Sequence, residues 1–119
     1  MSTLETKIKR FSDFWPVYVL SHQSRANRFF HFLATLTSIV MGIVFAYTHK
    51  FVFLILMPVV SYAFAWAGHF IHEKNTPLTW TYPLYSLIAD YKMFFLIISG
   101  KMQKEIVRVQ SESLTRSSI

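Results

Sequence analysis

Residues 29–71 read FFHFLATLTSIVMGIVFAYTHKFVFLILMPVVSYAFAWAGHFI, two long apolar runs separated by a polar break at residues 48–50. The runs, 29–48 and 51–71, each have about the twenty residues that an α-helix needs to cross a hydrocarbon core of about 30 Å. Pro58 can kink the second helix, a defect that membrane helices tolerate. The stretch therefore predicts a transmembrane helical hairpin.

Composition supports an all-α integral membrane protein. The chain has 119 residues, of which 53% are hydrophobic and only 15% are charged, so it is too apolar for an ordinary soluble domain of this size. Its length has room for one compact unit, which we predict as a single membrane domain over residues 1–110. The absence of cysteine excludes disulfides, thiolate metal sites, iron–sulfur clusters and cysteine nucleophiles.

The net charge of +6 is distributed around the apolar runs. Lys7, Lys9, Arg10, Arg25 and Arg28 precede the first run, Lys74, Lys92, Lys101, Lys104 and Arg108 follow the second, and Lys50 alone lies between them. Because basic residues favour the cytosolic side, both termini are predicted to be cytosolic, in a bacterial inner membrane or the endoplasmic reticulum. This pattern fits anionic lipid headgroups as partners and does not suggest nucleic acid.

Two amphipathic segments flank the hairpin and are predicted to lie in the membrane interface. The first, 13–21, can be capped by Ser12 or Asp13 and is rich in aromatic residues. The second, 83–99, begins at a proline. Its uninterrupted apolar stretch is too short for a third span, so the helix is expected to cover the hairpin. A short surface helix can follow over 101–108, and the Ser-rich tail 111–119 is predicted to be disordered.

The second run closes in W-A-G-H-F-I-H-E-K-N-T-P, residues 66–77, which carries side chains with metal-ligand spacing. On a continuing helix His69 and Glu73 share a face, and His72 lies three residues after His69 and slightly to one side. Imidazole and carboxylate together suit iron or zinc, but one helix cannot complete a coordination sphere. Further ligands must therefore come from elsewhere in the chain.

The predicted hairpin can bring further histidine ligands to this segment. His31 lies nineteen residues before Lys50 and His69 nineteen after it, so in an antiparallel pair the two reach nearly the same depth. His22 precedes a predicted helix cap at Asn27 and can fold over the pair. We predict His22, His31 and His69 as metal ligands. The sequence offers His72 as a fourth candidate that can equally lie beside the site, whereas His49 falls at the far end of the hairpin and is excluded.

Two acids are candidate catalytic residues. Glu73 can bind the metal directly or accept a hydrogen bond from a ligand histidine, the commoner role of such carboxylates. Asp90 can play the same part from the covering helix, or can pair with Lys92 or Arg28. The sequence favours function for both.

Three segments together resemble a known family: H-Q-S-R-A-N-R-F-F-H at 22–31, G-H-F-I-H-E-K-N-T-P at 68–77 and Y-P-L-Y-S-L-I-A-D-Y at 82–91. They are similar to the small membrane proteins related to the yeast endoplasmic-reticulum 2-hydroxy fatty acid dioxygenase of phytosphingosine degradation, over roughly residues 14–98. The resemblance implies an Fe(II)-dependent dioxygenase of α-oxidation with histidine ligands. Such an enzyme uses O₂ to shorten a long-chain 2-hydroxy fatty acid by one carbon, at the cytosolic membrane face. His72 departs from the family pattern, where an apolar residue is expected.

Other functions stay open at this point. Iron is favoured over zinc through the resemblance alone. A haem or electron-transfer protein could use His31 and His69 as axial ligands, although His22 and Glu73 would then have no role. A non-enzymatic lipid-binding membrane protein would use the polar residues only to satisfy one another. The sequence also leaves open whether the chain forms a homo-oligomer.

Overall fold

A computed structural model of the chain describes residues 7–117, in which every regular element is a helix and there is no strand. The helices, in order, are α1 Phe11–Leu20, α2 Arg25–Thr48, α3 Val52–Ala67, a π-helical segment Gly68–Glu73, a 3₁₀ turn Leu78–Trp80, α4 Pro83–Ile98 and α5 Met102–Ser117. The predicted all-α class is confirmed.

Helices α2 and α3 pack against each other in antiparallel directions. Near the turn, Gly42 lies opposite Met57, and at the other end the rings of Phe30 and Phe64 are 6.4 Å apart. Helix α2 begins earlier than predicted because Ser24 caps it: the Ser24 side chain accepts from the backbone N–H of Asn27. The predicted cap at Asn27 is wrong, and Asn27 is a fully buried residue within the first turn.

Two helical stretches, Arg25–Thr48 and Val52–Glu73, are long and apolar enough to cross a membrane. Of the 18 most apolar consecutive residues in each stretch, only 17% are buried within the protein. The exposed side chains include Val40, Ile43 and Val59, which the core helix of a soluble protein would bury. An apolar environment such as lipid would cover these surfaces.

The main hydrophobic core lies beside this pair, among α1, α4 and α5. Its members are buried apolar side chains from all three helices: Phe14, Trp15, Tyr18, Val19, Ala89, Met93, Met102, Ile106 and Val109. The aromatic residues of α1 that were predicted to face the membrane interface are thus packed against protein. Helix α5 covers them, which the sequence did not indicate.

Helix α5 continues to Ser117, through most of the tail predicted to be disordered; residues 118–119 lie outside the described range. Arg108 pairs with Glu105 at 2.8 Å and with Glu112 at 2.7 Å, and such pairs one turn apart support a helix. Glu105 also accepts from Trp15 Nε1 at 2.7 Å. The hydrogen bond from Arg108 lowers the pKa of Glu105 to about 2, so its carboxylate is ionised when it ties α5 to α1.

Candidate metal centre

Three histidines converge where α2 meets the π-helical segment. One ring nitrogen from each of His22, His31 and His69 lies within 4.8 Å of the other two, and all three side chains are buried. The ring centroids are 4.4 to 4.8 Å apart, with interplanar angles of 75 to 83°. Three imidazoles thus point at one small region of the protein, and they come from three separate segments.

A close approach of α2 to the π-helical segment brings His31 and His69 together. A Cβ added to Gly68 would lie 2.2 Å from Asn27 Oδ1 and 3.1 Å from Phe30 Cβ, so only glycine fits there. His69 follows directly, and its ring is 4.8 Å from that of His31. The π-helical turn ends at Lys74, whose φ is 61°, and π-helical turns are frequent at functional sites.

Two outer histidine nitrogens are held by oxygen atoms. His22 Nδ1 lies 2.6 Å from the carbonyl oxygen of Tyr18, which can only accept, so this nitrogen carries the proton. His69 Nδ1 lies 2.6 Å from Asn75 Oδ1. The Asn75 amide has its oxygen on this side because its nitrogen donates to the carbonyl of Ser21 at 3.0 Å. His22 and His69 are therefore both protonated on Nδ1, which leaves a lone pair on each Nε2, and that of His22 faces His31 Nε2.

Asp90 on α4 lies beside the third histidine. Asp90 Oδ1 is 3.4 Å from His31 Nδ1, an ion-pair distance, and among the described residues this buried nitrogen makes no hydrogen bond. The hydroxyl of Tyr18 donates to the same oxygen. Burial, and then the Asp90 charge, raise the pKa of Tyr18 well above 10.0, so the phenol keeps its proton and remains a donor. Asp90 thus lies beside His31, whereas Lys92 lies over the Trp15 ring.

The donor set fits a metal ion. His22 Nε2 and His31 Nε2 are 3.2 Å apart, and two lone pairs at that distance repel unless a proton or cation lies between them. Imidazoles bound to one ion at about 2.1 Å have nitrogens roughly 3.0 to 3.4 Å apart. Burial, followed by the two neighbouring histidines, lowers the pKa of His22 well below 6.5, so it is neutral, as a ligand must be. Each outer nitrogen also faces an oxygen atom, as in known histidine metal sites.

The structure does not bring His72 into this cluster. A π-helical turn holds more residues than an α-helical one, so the three positions after His69 carry His72 to the exposed side. Its ring lies 5.2 Å from Phe30. His72 thus lies outside the cluster of three histidines in this arrangement, and its role as a fourth ligand stays a prediction. His49 lies in the turn between α2 and α3, at the opposite end of the pair.

Glu73 also differs from its predicted position. Its Oε1 accepts from the backbone N–H of Ser24 at 2.9 Å and from Asn27 Nδ2 at 3.1 Å. Among the described residues no hydrogen bond joins Glu73 to a histidine. The hydrogen bond that Glu73 was expected to accept from a ligand histidine is made instead by Asn75, which accepts from His69 Nδ1. Arg28 Nη1 completes the arrangement by donating to the carbonyl of His22 at 2.8 Å. Glu73 and Arg28 therefore hold the loop that carries His22.

Sequence reasoning missed two residues that orient the cluster. Asn75 lies inside the quoted segment 68–77, but its contact with His69 depends on the left-handed turn at Lys74. Tyr18 belongs to the aromatic segment 13–21, which was predicted to lie in the membrane interface. Its position four residues before His22, which places both on one helical face, was the available signal.

Comparison with known proteins identifies the family. A family model described as "2-hydroxy-palmitic acid dioxygenase Mpo1-like" matches residues 8–102. No curated protein and no solved structure matches the chain. The matched range covers most of the 119 residues and contains all three histidines of the cluster together with Asn75 and Asp90. The chain therefore belongs to the Mpo1-like family.

Proposed function

We propose that the chain is an Fe(II)-dependent dioxygenase that shortens 2-hydroxy fatty acids by one carbon. The observation that carries the proposal is the buried cluster of His22, His31 and His69, whose outer nitrogens face oxygen atoms and whose Nε2 lone pairs converge. The family description supplies the reaction class and the 2-hydroxy acid. Zinc has no redox chemistry, so a reaction with O₂ favours a redox-active metal such as iron over zinc.

The geometry does not favour a haem. Axial ligands must lie on opposite faces of a flat macrocycle, but the His22 ring is 4.4 Å from His31 and 4.5 Å from His69. A third imidazole therefore occupies the region that the macrocycle would need. His31 and His69, considered from the sequence as a pair of haem ligands, belong with His22 to one cluster of three histidines.

The net reaction balances without a further reductant. A 2-hydroxy acid and O₂ give the acid one carbon shorter, CO₂ and water. The C1–C2 bond breaks, C2 becomes the new carboxyl carbon, and the electrons lost by C1 and C2 reduce O₂ fully. When bound, Fe(II) would supply the open positions at which O₂ and the substrate's carboxylate and hydroxyl can be held together.

The protein's own residues hold and orient the ligands. Tyr18 donates to Asp90, and the Asp90 carboxylate, beside His31 Nδ1, favours the tautomer with its proton on that nitrogen. Asn75 does the same for His69. We therefore assign Asp90 as a positioning residue that acts through His31. Glu73 acts one step further out, through the loop that carries His22.

We propose that α2 and α3 span the membrane with both chain ends on the cytosolic side, in a bacterial inner membrane or the endoplasmic reticulum. The basic residues that flank the apolar stretches support this orientation. The cluster would then lie near the headgroups, where the carboxyl end of a fatty acid resides. A reporter fused after Ile119 is expected to be active on the cytosolic side; activity on the outer or lumenal side would exclude the orientation.

The reaction is tested with the full chain in lipid nanodiscs. After anaerobic loading with Fe(II), addition of a long-chain 2-hydroxy fatty acid and O₂ is expected to yield the acid one carbon shorter, with O₂ consumed in proportion. Mass spectrometry and an oxygen electrode measure both quantities. Iron-loaded protein that yields no shortened product across several chain lengths would favour the lipid-binding alternative. Zinc-loaded protein is the control and should give no product.

A further inference from the structure

A cavity of about 360 Å³ lies between α2, α3 and α4. Its wall includes Ala34 and Thr35 from α2, Met57, Ser61 and Ala65 from α3, and Asp90 from α4. Most of the wall is apolar. The hydroxyls of Ser38 and Tyr91 in this wall are 2.7 Å apart and bond to each other, so they do not require a ligand.

The cavity begins one helical turn from the histidine cluster. Thr35 lies four residues after His31 on α2, and Ala65 lies four residues before His69, so each pair shares a face of its helix. Asp90 belongs to both regions, because it lines the cavity and faces His31 Nδ1. From Ala65 to Met57 the cavity follows α3 for about 12 Å, away from the cluster.

We propose that this cavity holds the alkyl chain of the 2-hydroxy fatty acid and sets the preferred chain length. The inference rests on the proposed function, which places C1 and C2 of the substrate at the cluster. The alkyl chain must then leave the cluster through an apolar space that begins beside it. Small side chains at Ala34 and Ala65, both buried, keep the end nearest the cluster open.

Photocrosslinking locates the alkyl chain without any turnover. The probe is a 2-hydroxy fatty acid with a diazirine near its methyl end, mixed anaerobically with the iron-loaded full chain in nanodiscs. Peptide mapping is expected to find the label at the cavity-lining residues Met57, Pro58, Ser61 and Ala65, with competition by the unmodified 2-hydroxy acid. Labelling that falls equally on the exposed residues Val40, Ile55 and Val59, without competition, would overturn the proposal.

Filling the cavity tests chain-length selection. Ser61→Leu adds volume inside it and removes a buried hydroxyl that has no hydrogen-bond partner among the described residues. We expect the ratio of long-chain to short-chain turnover to fall by about tenfold or more, the effect of a methylene-sized misfit in an apolar pocket. Ala63→Leu makes a similar addition on the exposed side of α3 and should leave the ratio unchanged.

The two readouts separate this inference from the proposed function. Metal content of Ser61→Leu should equal that of the wild type, because Ser61 is two turns from His69. A chain-length profile that is unchanged in iron-loaded Ser61→Leu would overturn the cavity assignment while the reaction stands. If no variant forms product, competed labelling of the cavity-lining residues of α3 would still support the binding site while the proposed reaction fails.

Discussion

Alanine at His22, His31 or His69 is expected to remove most of the Fe(II) that the chain binds. Each residue supplies one of three converging nitrogens, and all three are buried where water cannot easily replace a lost ligand. The loss of affinity should exceed the ten- to hundredfold that removal of an outer-shell partner costs. Asn75→Leu removes such a partner from His69 and should therefore lower the affinity for Fe(II) about tenfold.

Competition between the protein and a coloured Fe(II) chelator, under anaerobic conditions, measures these affinities. His49→Ala and His72→Ala are matched controls, since neither ring belongs to the cluster, and both should bind as the wild type does. Glutamine at each ligand position preserves most of the side-chain volume, and circular dichroism reports whether the helices are retained. Wild-type affinity in all three folded ligand variants would show that the cluster does not bind the metal.

Gly68→Ala is expected to destabilise the protein and to lower metal binding together. The new Cβ would lie 2.2 Å from Asn27 Oδ1 and 3.1 Å from Phe30 Cβ. Asn27 is fully buried and donates to Glu73, so its side chain cannot move aside without breaking that bond. Overpacking of this kind costs about 1 to 3 kcal/mol of unfolding free energy, and the shift would separate His69 from His31.

Gly42→Ala provides the control for this substitution. Its Cβ would meet Met57 Cε at 3.5 Å, an ordinary van der Waals contact in the same helix pair. Denaturant unfolding in mild detergent, followed by circular dichroism, compares the two variants, and the chelator assay reports their iron binding. A Gly68→Ala protein as stable as Gly42→Ala, with wild-type iron affinity, would contradict the close packing described at Asn27.

The long helices and part of the site were predictable because they depend on simple repeats along the chain. Length and apolar composition predict α2 and α3 without knowledge of any contact. Equal distances from Lys50 predict that His31 and His69 can meet, because the rise per residue of a helix is constant. The structure places their rings 4.8 Å apart.

The rest depends on contacts that no periodicity encodes. His72 was expected near His69 on the assumption of α-helical geometry, and the π-helical turn changes its direction. Asn75 reaches His69 only because the chain reverses at Lys74. The burial of α1 depends on α5, whose apolar residues are too sparse to indicate a partner from the sequence alone.

Metal analysis of the full chain, purified in detergent without added metal, shows whether the three histidines bind iron. Inductively coupled plasma mass spectrometry would compare the wild type with a variant in which His22, His31 and His69 are all glutamine. We predict about one iron per wild-type chain and none above background in the variant, consistent with a site of three imidazoles. Equal iron in both proteins, or a wild-type chain that carries zinc and no iron, would contradict it.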